Sequence, residues 1–190
     1  LMSDTVALLL KELKLPAFVR HYQSLWDRAI EQGWSHTDYL AALCEYELSD
    51  RYQRRTYKWL REAGLATHKT FATLENNALI KAQQTTLAKL QQDTDWAHRA
   101  DNVLLIGPSG TGKTHIANAL GHQLVEQGVR CKLFPAIALV QLLQQAKRDL
   151  DLMTAMTRLD KYRVLIIDDI GYVKKTDAET HVLFEFIAHR

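Results

Sequence analysis

The chain has 190 residues, 47% of them hydrophobic and 24% charged, with a formal net charge of +2. This composition is that of an ordinary globular protein and excludes a disordered chain. So small a net charge excludes bulk electrostatics as the basis of any nucleic-acid or membrane contact, and any basic site must be local.

From Thr5 to about Gly64 the apolar spacing is helical, with Val6, Leu9, Leu10 and Leu13 in one group and Phe18, Tyr22, Leu25, Trp26 and Ile30 in the next. Pro16 fits a first-turn position between them, Gly33 ends the second helix, and Ser35 or Thr37 can cap a third. That third helix is expected over Asp38 to Ala63, with Gly64 as its stop. Residues 1–66 therefore predict a small all-helical N-terminal domain.

The next residues, 67–77, are rich in threonine and asparagine, carry no sustained period and predict an interdomain linker. A helix is expected over Ala78 to Gln92. After Asp101 the pattern turns to short, continuously apolar runs: Val103 to Ile106, Cys131 to Phe134 and Val164 to Ile167. Strands buried on both faces have this pattern. Helical stretches between them, at Lys113 to Gln127 and Ile137 to about Leu159, imply a parallel sheet with crossover helices. Residues 78–190 thus predict an α/β core. Cys44 and Cys131 both lie among apolar neighbours and are expected as buried thiols rather than a disulfide. The eight histidines show no metal-ligand spacing, and His181 with Glu185 fits a surface pair.

Between the first apolar run and the helix at Lys113 lies Gly107-Pro108-Ser109-Gly110-Thr111-Gly112-Lys113-Thr114, which fits G-x-x-x-x-G-K-[ST] in a strand-to-helix context. Glycines permit the dihedrals that turn successive N–H groups inward as an anion nest, and the helix N-terminus adds its positive end. Residues 107–115, His115 included, are the candidate nucleotide cradle. Lys113 is placed on the β- and γ-phosphates, and the Thr114 hydroxyl on Mg²⁺.

A phosphate cradle calls for a carboxylate at the end of a buried strand, and Val164-Leu165-Ile166-Ile167-Asp168-Asp169 supplies two. Asp168 is the candidate magnesium residue and Asp169 the group that polarises the attacking water. Asp168 to Gly171 also spells the D-x-x-G of GTPases, but Asp169 and the helical stretch between the two motifs favour an ATPase.

These segments, with GPSGTGKTHIANALG and VLIIDDIGYVKKTDAETHVLFEFIAHR behind a helical half containing Asp50-Arg51-Tyr52-Gln53-Arg54-Arg55, resemble IstB, the AAA+ helper ATPases of insertion-sequence transposition, relatives of DnaC-type helicase loaders. The resemblance implies a P-loop NTPase (AAA+) parallel-sheet core with ATP and Mg²⁺ as cofactors. It further implies a homo-oligomer on duplex DNA that assists the transposase of the same element, DNA-associated in the bacterial cytoplasm and not in a membrane. A helicase loader, a small-molecule kinase and a nucleotide-gated DNA-binding scaffold are the alternatives. Most AAA+ proteins carry aspartate then glutamate where this chain has Asp168 then Asp169. One methylene fewer withdraws the carboxylate by about an ångström, and misplacement of that size costs on the order of a hundredfold in rate. The family continues past the position of Arg190 into a sensor strand and an arginine finger, so the core is expected to be incomplete at its C-terminal end. Candidate DNA contacts are Lys174 and Lys175 behind the acidic strand end, Lys147 and Arg148 on the helical stretch between the motifs, and the stripe containing Arg51, Arg54 and Arg55.

Overall fold

A computed structural model describes residues 2–75, 81–172 and 176–190. The chain divides into two compact units, Leu1–Tyr57 and Lys58–Arg190. Among the described residues no helix is long and apolar enough to cross a membrane.

The first unit is helical. Helix α1 spans Met2–Glu12, α2 spans Pro16–Gln32, and α3, His36–Ala63, begins here and continues into the second unit. Each boundary has a local cause. Pro16 occupies the first turn of α2, where its missing N–H removes only a donor that lacks a helical acceptor anyway. Gly33 stops α2 at φ 64°, with Gly33 N–H donating to Ile30 O and Trp34 N–H to Ala29 O, a left-handed cap closing on the last carbonyls. Ser35 and Asp38 cap α3 reciprocally: Asp38 N–H donates to Ser35 Oγ, and Ser35 N–H to Asp38 Oδ2, both at 3.1 Å. Ala17, Leu25, Ala29 and Leu43 form the buried interior. Glu47, 4% exposed, accepts from Ala17 N–H at the open end of α2 and from Arg51 Nε, so its buried charge is paired.

The second unit holds α4 (Lys81–Gln92), α5 (Asp95–His98), α6 (Lys113–Glu126), β1 (Cys131–Pro135), α7 (Ala136–Arg148), α8 (Leu152–Leu159), β2 (Val164–Asp168) and α9 (Asp177–His189). The strands pair in parallel, in register from Cys131 with Val164 to Pro135 with Asp168. Side chains alternate across β2. Leu165 and Ile167 pack on a core of Leu139, Leu143, Met156, Val182 and Phe186, while Val164 packs on Ala63, Val125 and Cys131. The pair is thus covered on both faces, as a parallel sheet requires.

Three expectations need correction. Val103 to Ile106 is not a strand: Val103 packs beside Trp96 and Leu124, but Leu104 and Ile106 are 80% and 86% exposed. Apolar composition creates affinity for a core, whereas a strand exists only through a hydrogen-bonded neighbour, and the ladder among the described residues contains β1 and β2 alone. The helical stretch after Ile137 is two helices, broken where Leu150 adopts φ 56° and Asp151 N–H closes onto Ala146 O. Cys44 is exposed rather than buried, because the apolar side chains of α3 do not gather on one side: Leu43 is 3% exposed, but Leu40 and Leu48 are 54% and 68% exposed. Cys131 is buried as expected, its thiol donating to Gly121 O, and burial pushes its pKa up to about 12.

The threonine-rich segment after Gly64 is docked on α6. Phe71 and Leu74 pack on Leu87, Ile116 and Leu120, and Leu65 lies against Gly121. Residues Asn76, Asn77 and 78–80 lie outside the described residues.

Candidate nucleotide site

The loop before α6 takes its shape from two glycines. Gly110 and Gly112 have φ of 79° and 87°, a region that side-chain-bearing residues enter only at a cost of roughly 1–2 kcal/mol. Gly112 is the N-cap residue of α6, and its carbonyl accepts from Ile116 N–H. An added Cβ at either glycine would meet nothing within 4 Å, so the backbone borders open space that a ligand can approach. The Pro108 carbonyl holds the loop together, accepting from Thr111 Oγ1 at 2.9 Å and from Lys113 Nζ at 2.6 Å. The ammonium of Lys113 is therefore parked across the loop on a neutral oxygen that an anion would outcompete.

Helix α6 and strand β2 bring the two motifs together. Thr114 Oγ1 donates to Asp168 Oδ1 at 3.1 Å, across 54 residues of sequence. The same Oδ1 accepts from Asp169 N–H at 3.0 Å, and Asp169 is exposed with φ 59°. A hydroxyl and a carboxylate oxygen at this separation fit two adjacent positions of an octahedral magnesium shell, whose ligands at 2.0–2.1 Å stand about 2.9 Å apart. The donor set, all oxygen, also suits that ion. Among the described residues no cluster of three His, Cys, Asp or Glu forms a metal centre.

His115 takes another direction from the rest of the cradle. Its Nε2 lies 2.9 Å from Thr70 O and 3.3 Å from Thr73 Oγ1, on the face of α6 that carries the docked segment. Two neighbours on that face escaped sequence reasoning. Asn118, 3% exposed, donates from Nδ2 to Thr114 O and accepts at Oδ1 from Ala66 N–H, both at 2.7 Å, and His122 Nε2 lies 3.0 Å from Ala66 O. Their spacing of three and four residues was visible, but partners some fifty residues away were not.

The candidate DNA contacts belong to both units. Lys147 pairs with Glu185 at 3.0 Å, and that pairing, with His181 beside it, holds the Glu185 carboxyl below the usual glutamate range. Arg148 donates to Gln145 Oε1. In the first unit Arg51 and Arg54 pair with Glu47 and Asp50, and Arg55 lies over the Tyr52 ring. Lys174 and Lys175 lie outside the described residues.

Comparison with known proteins gives the chain's family. A family model described as IstB-like ATP binding protein matches residues 8–190. The chain is 37% identical over 185 residues to an insertion sequence ATP-binding protein of Sinorhizobium fredii, covering 97% of this chain and 62% of that protein. It is 30% identical to the insertion sequence IS21 ATP-binding protein of Pseudomonas aeruginosa, over 96% of this chain and 68% of the relative. With the insertion sequence IS5376 ATP-binding protein of Geobacillus stearothermophilus the identity is 28%, over 94% and 70%. The chain thus spans roughly two thirds of the length of these relatives.

Proposed function

Because the chain belongs to the IstB-like ATP-binding family, we propose that it binds magnesium-ATP in the Gly107–Thr114 loop and hydrolyses it as an oligomer on duplex DNA, assisting a transposase. The observation that carries this reading is the meeting of Thr114 with Asp168 at the mouth of a glycine loop whose lysine donates to a backbone carbonyl.

In this reading the amides of residues 109–114 bind the β-phosphate and Lys113 turns from Pro108 O to the β- and γ-phosphates. Magnesium would supply charge neutralisation between those phosphates, held through Thr114 and Asp168. Asp169 orients the attacking water, and its carboxylate accepts that water's proton. Lys174 and Lys175, with Lys147 and Arg148, contact DNA phosphates, which makes binding sequence-tolerant and salt-sensitive. The helical unit serves assembly or transposase contact. Its support is apolar surface left in water, with Leu8, Leu13 and Ile30 each more than 60% exposed.

A second reading has support from Asp169, which has the shorter side chain and a left-handed backbone. In that reading nucleotide occupancy drives assembly on DNA and turnover is incidental. Measuring ATP hydrolysis and sedimentation with and without duplex DNA separates the two. Turnover raised by DNA supports the ATPase, whereas assembly with ATP at flat, minimal turnover supports the scaffold. Assembly and turnover both indifferent to DNA would overturn both. Replacing Lys174 and Lys175 by alanine is expected to weaken DNA binding and flatten its salt slope; equal affinity across a salt titration would remove them from the DNA surface.

A further inference from the structure

The hydrogen bonds around Asn118 form one continuous path. Ala66 N–H donates to Asn118 Oδ1, Asn118 Nδ2 to Thr114 O, and Thr114 Oγ1 to Asp168 Oδ1. The path runs from the segment that follows α3 to the acidic end of β2. Asn118 is nearly inaccessible to water, so each of its bonds faces the full penalty of a buried polar group if broken. On either side of Asn118 the same face of α6 holds the same segment. His122 Nε2 donates to Ala66 O and His115 Nε2 to Thr70 O, both oxygens being carbonyls that can only accept. Phe71 and Leu74 seal the contact against Ile116 and Leu120.

We infer that Asn118 is a positioning residue that couples the nucleotide site to the docked segment, residues 65–74, so that occupancy of the site changes the mobility of that segment. The inference rests on the proposed magnesium-ATP site. The Thr114 hydroxyl and the Asp168 carboxylate oxygen are the atoms assigned to the ion, and a hydroxyl whose lone pair faces a cation still donates its proton to a carboxylate, so the bond and the ion coexist at this separation. Loading the site therefore keeps the last link of the path and fixes Thr114 from the phosphate side as well. Thr114 O is held by Asn118 in either state, and the other end of Asn118 holds Ala66. A first turn of α6 immobilised by ligand thus immobilises the segment.

The test is amide hydrogen exchange of the full chain across residues 65–74, with and without saturating magnesium-ATP, alongside calorimetry of nucleotide uptake. Exchange in the wild type is expected to slow at least about threefold on loading. Asn118→Ala is expected to take up magnesium-ATP with weaker affinity and, once saturated, to show a loaded-to-free ratio near one. A purely structural asparagine would raise exchange equally in both states and leave the ratio at its wild-type value, which would overturn the inference. If Asn118→Ala does not fold, His122→Ala, which removes a single bond to Ala66, takes its place and is expected at least to halve the slowing; an unchanged ratio overturns the inference there too. Wild-type uptake without any change at residues 65–74 would sink the coupling alone. Failure of the wild type to take up nucleotide would sink both the coupling and the site it rests on.

Discussion

Asp169 sits at φ 59°, a left-handed conformation that aspartate tolerates better than most residues and that still carries strain of roughly 1 kcal/mol. The turn directs Asp169 N–H onto Asp168 Oδ1 and leaves the Asp169 side chain in water. Asp169→Asn is expected to keep that backbone and nucleotide affinity while lowering hydrolysis about a hundredfold, measured as phosphate release at saturating ATP. An unaffected rate would remove Asp169 from the reaction. Lys113→Ala removes a charge-assisted bond, of the kind that contributes roughly 1.5–3 kcal/mol, so affinity for ATP should fall about ten- to a hundredfold in a titration. Unchanged affinity would mean that the ammonium stays on Pro108 O. The glycine loop and the acidic strand end were legible in the sequence because each is contiguous. Asn118 was not legible, since an asparagine within a helix gives no sign of whether it faces water or, as here, spans two backbone groups.

Among the elements, α6 is packed closely at Gly121. A Cβ on Gly121 would lie 2.7 Å from a Leu65 methyl and 2.9 Å from an Ile166 methyl, so the helix seats on β2 and on the docked segment through a residue without a side chain. Gly121→Val is expected to destabilise the protein by about 2 kcal/mol, as overpacking does, read as a lower urea midpoint; an unchanged midpoint would show that the two methyls move aside freely. Leu150 presents the opposite case, 96% exposed at φ 56° between α7 and α8. Leu150→Gly is expected to stabilise by about half a kcal/mol, relief of strain exceeding the added freedom of the unfolded chain, and a fall in stability would mean that the leucine makes a contact in solution. This contrast marks where sequence patterns succeed. Pro16, Gly33 and the Ser35–Asp38 cap act within one turn and are legible locally, as are the two apolar runs that found each other as β1 and β2. The break at Leu150 uses a residue that normally avoids that conformation. The Val103 to Ile106 run has strand composition, but strand identity depends on a partner elsewhere in space.

For the molecule as a whole, the Lys58–Arg190 unit is tied across its sequence by Arg130. Its guanidinium pairs with Glu62 and lies over the rings of Trp59 and Tyr162, and Lys132 Nζ donates to Glu62 O. The hydrogen bond from Arg130 holds the Glu62 carboxyl below the usual glutamate range. A carboxyl depressed on folding adds stability that is fully present above its unfolded pKa, about 4.3, and disappears as pH falls through the lower folded value. Glu62→Gln is therefore expected to lower stability by about 1 kcal/mol at neutral pH and to flatten the acid limb of a stability profile. Parallel acid limbs for the two proteins would contradict the assignment.

The central claim is that the loop at Gly107–Thr114 and the end of β2 grip one magnesium-bound triphosphate, and titration calorimetry of the folded chain tests it most directly. Magnesium-ATP is expected to bind at one site per chain, with affinity falling at least about tenfold in Asp168→Ala and when magnesium is withheld. Heat of binding that is absent in the wild type, or identical with and without magnesium and Asp168, would contradict the account.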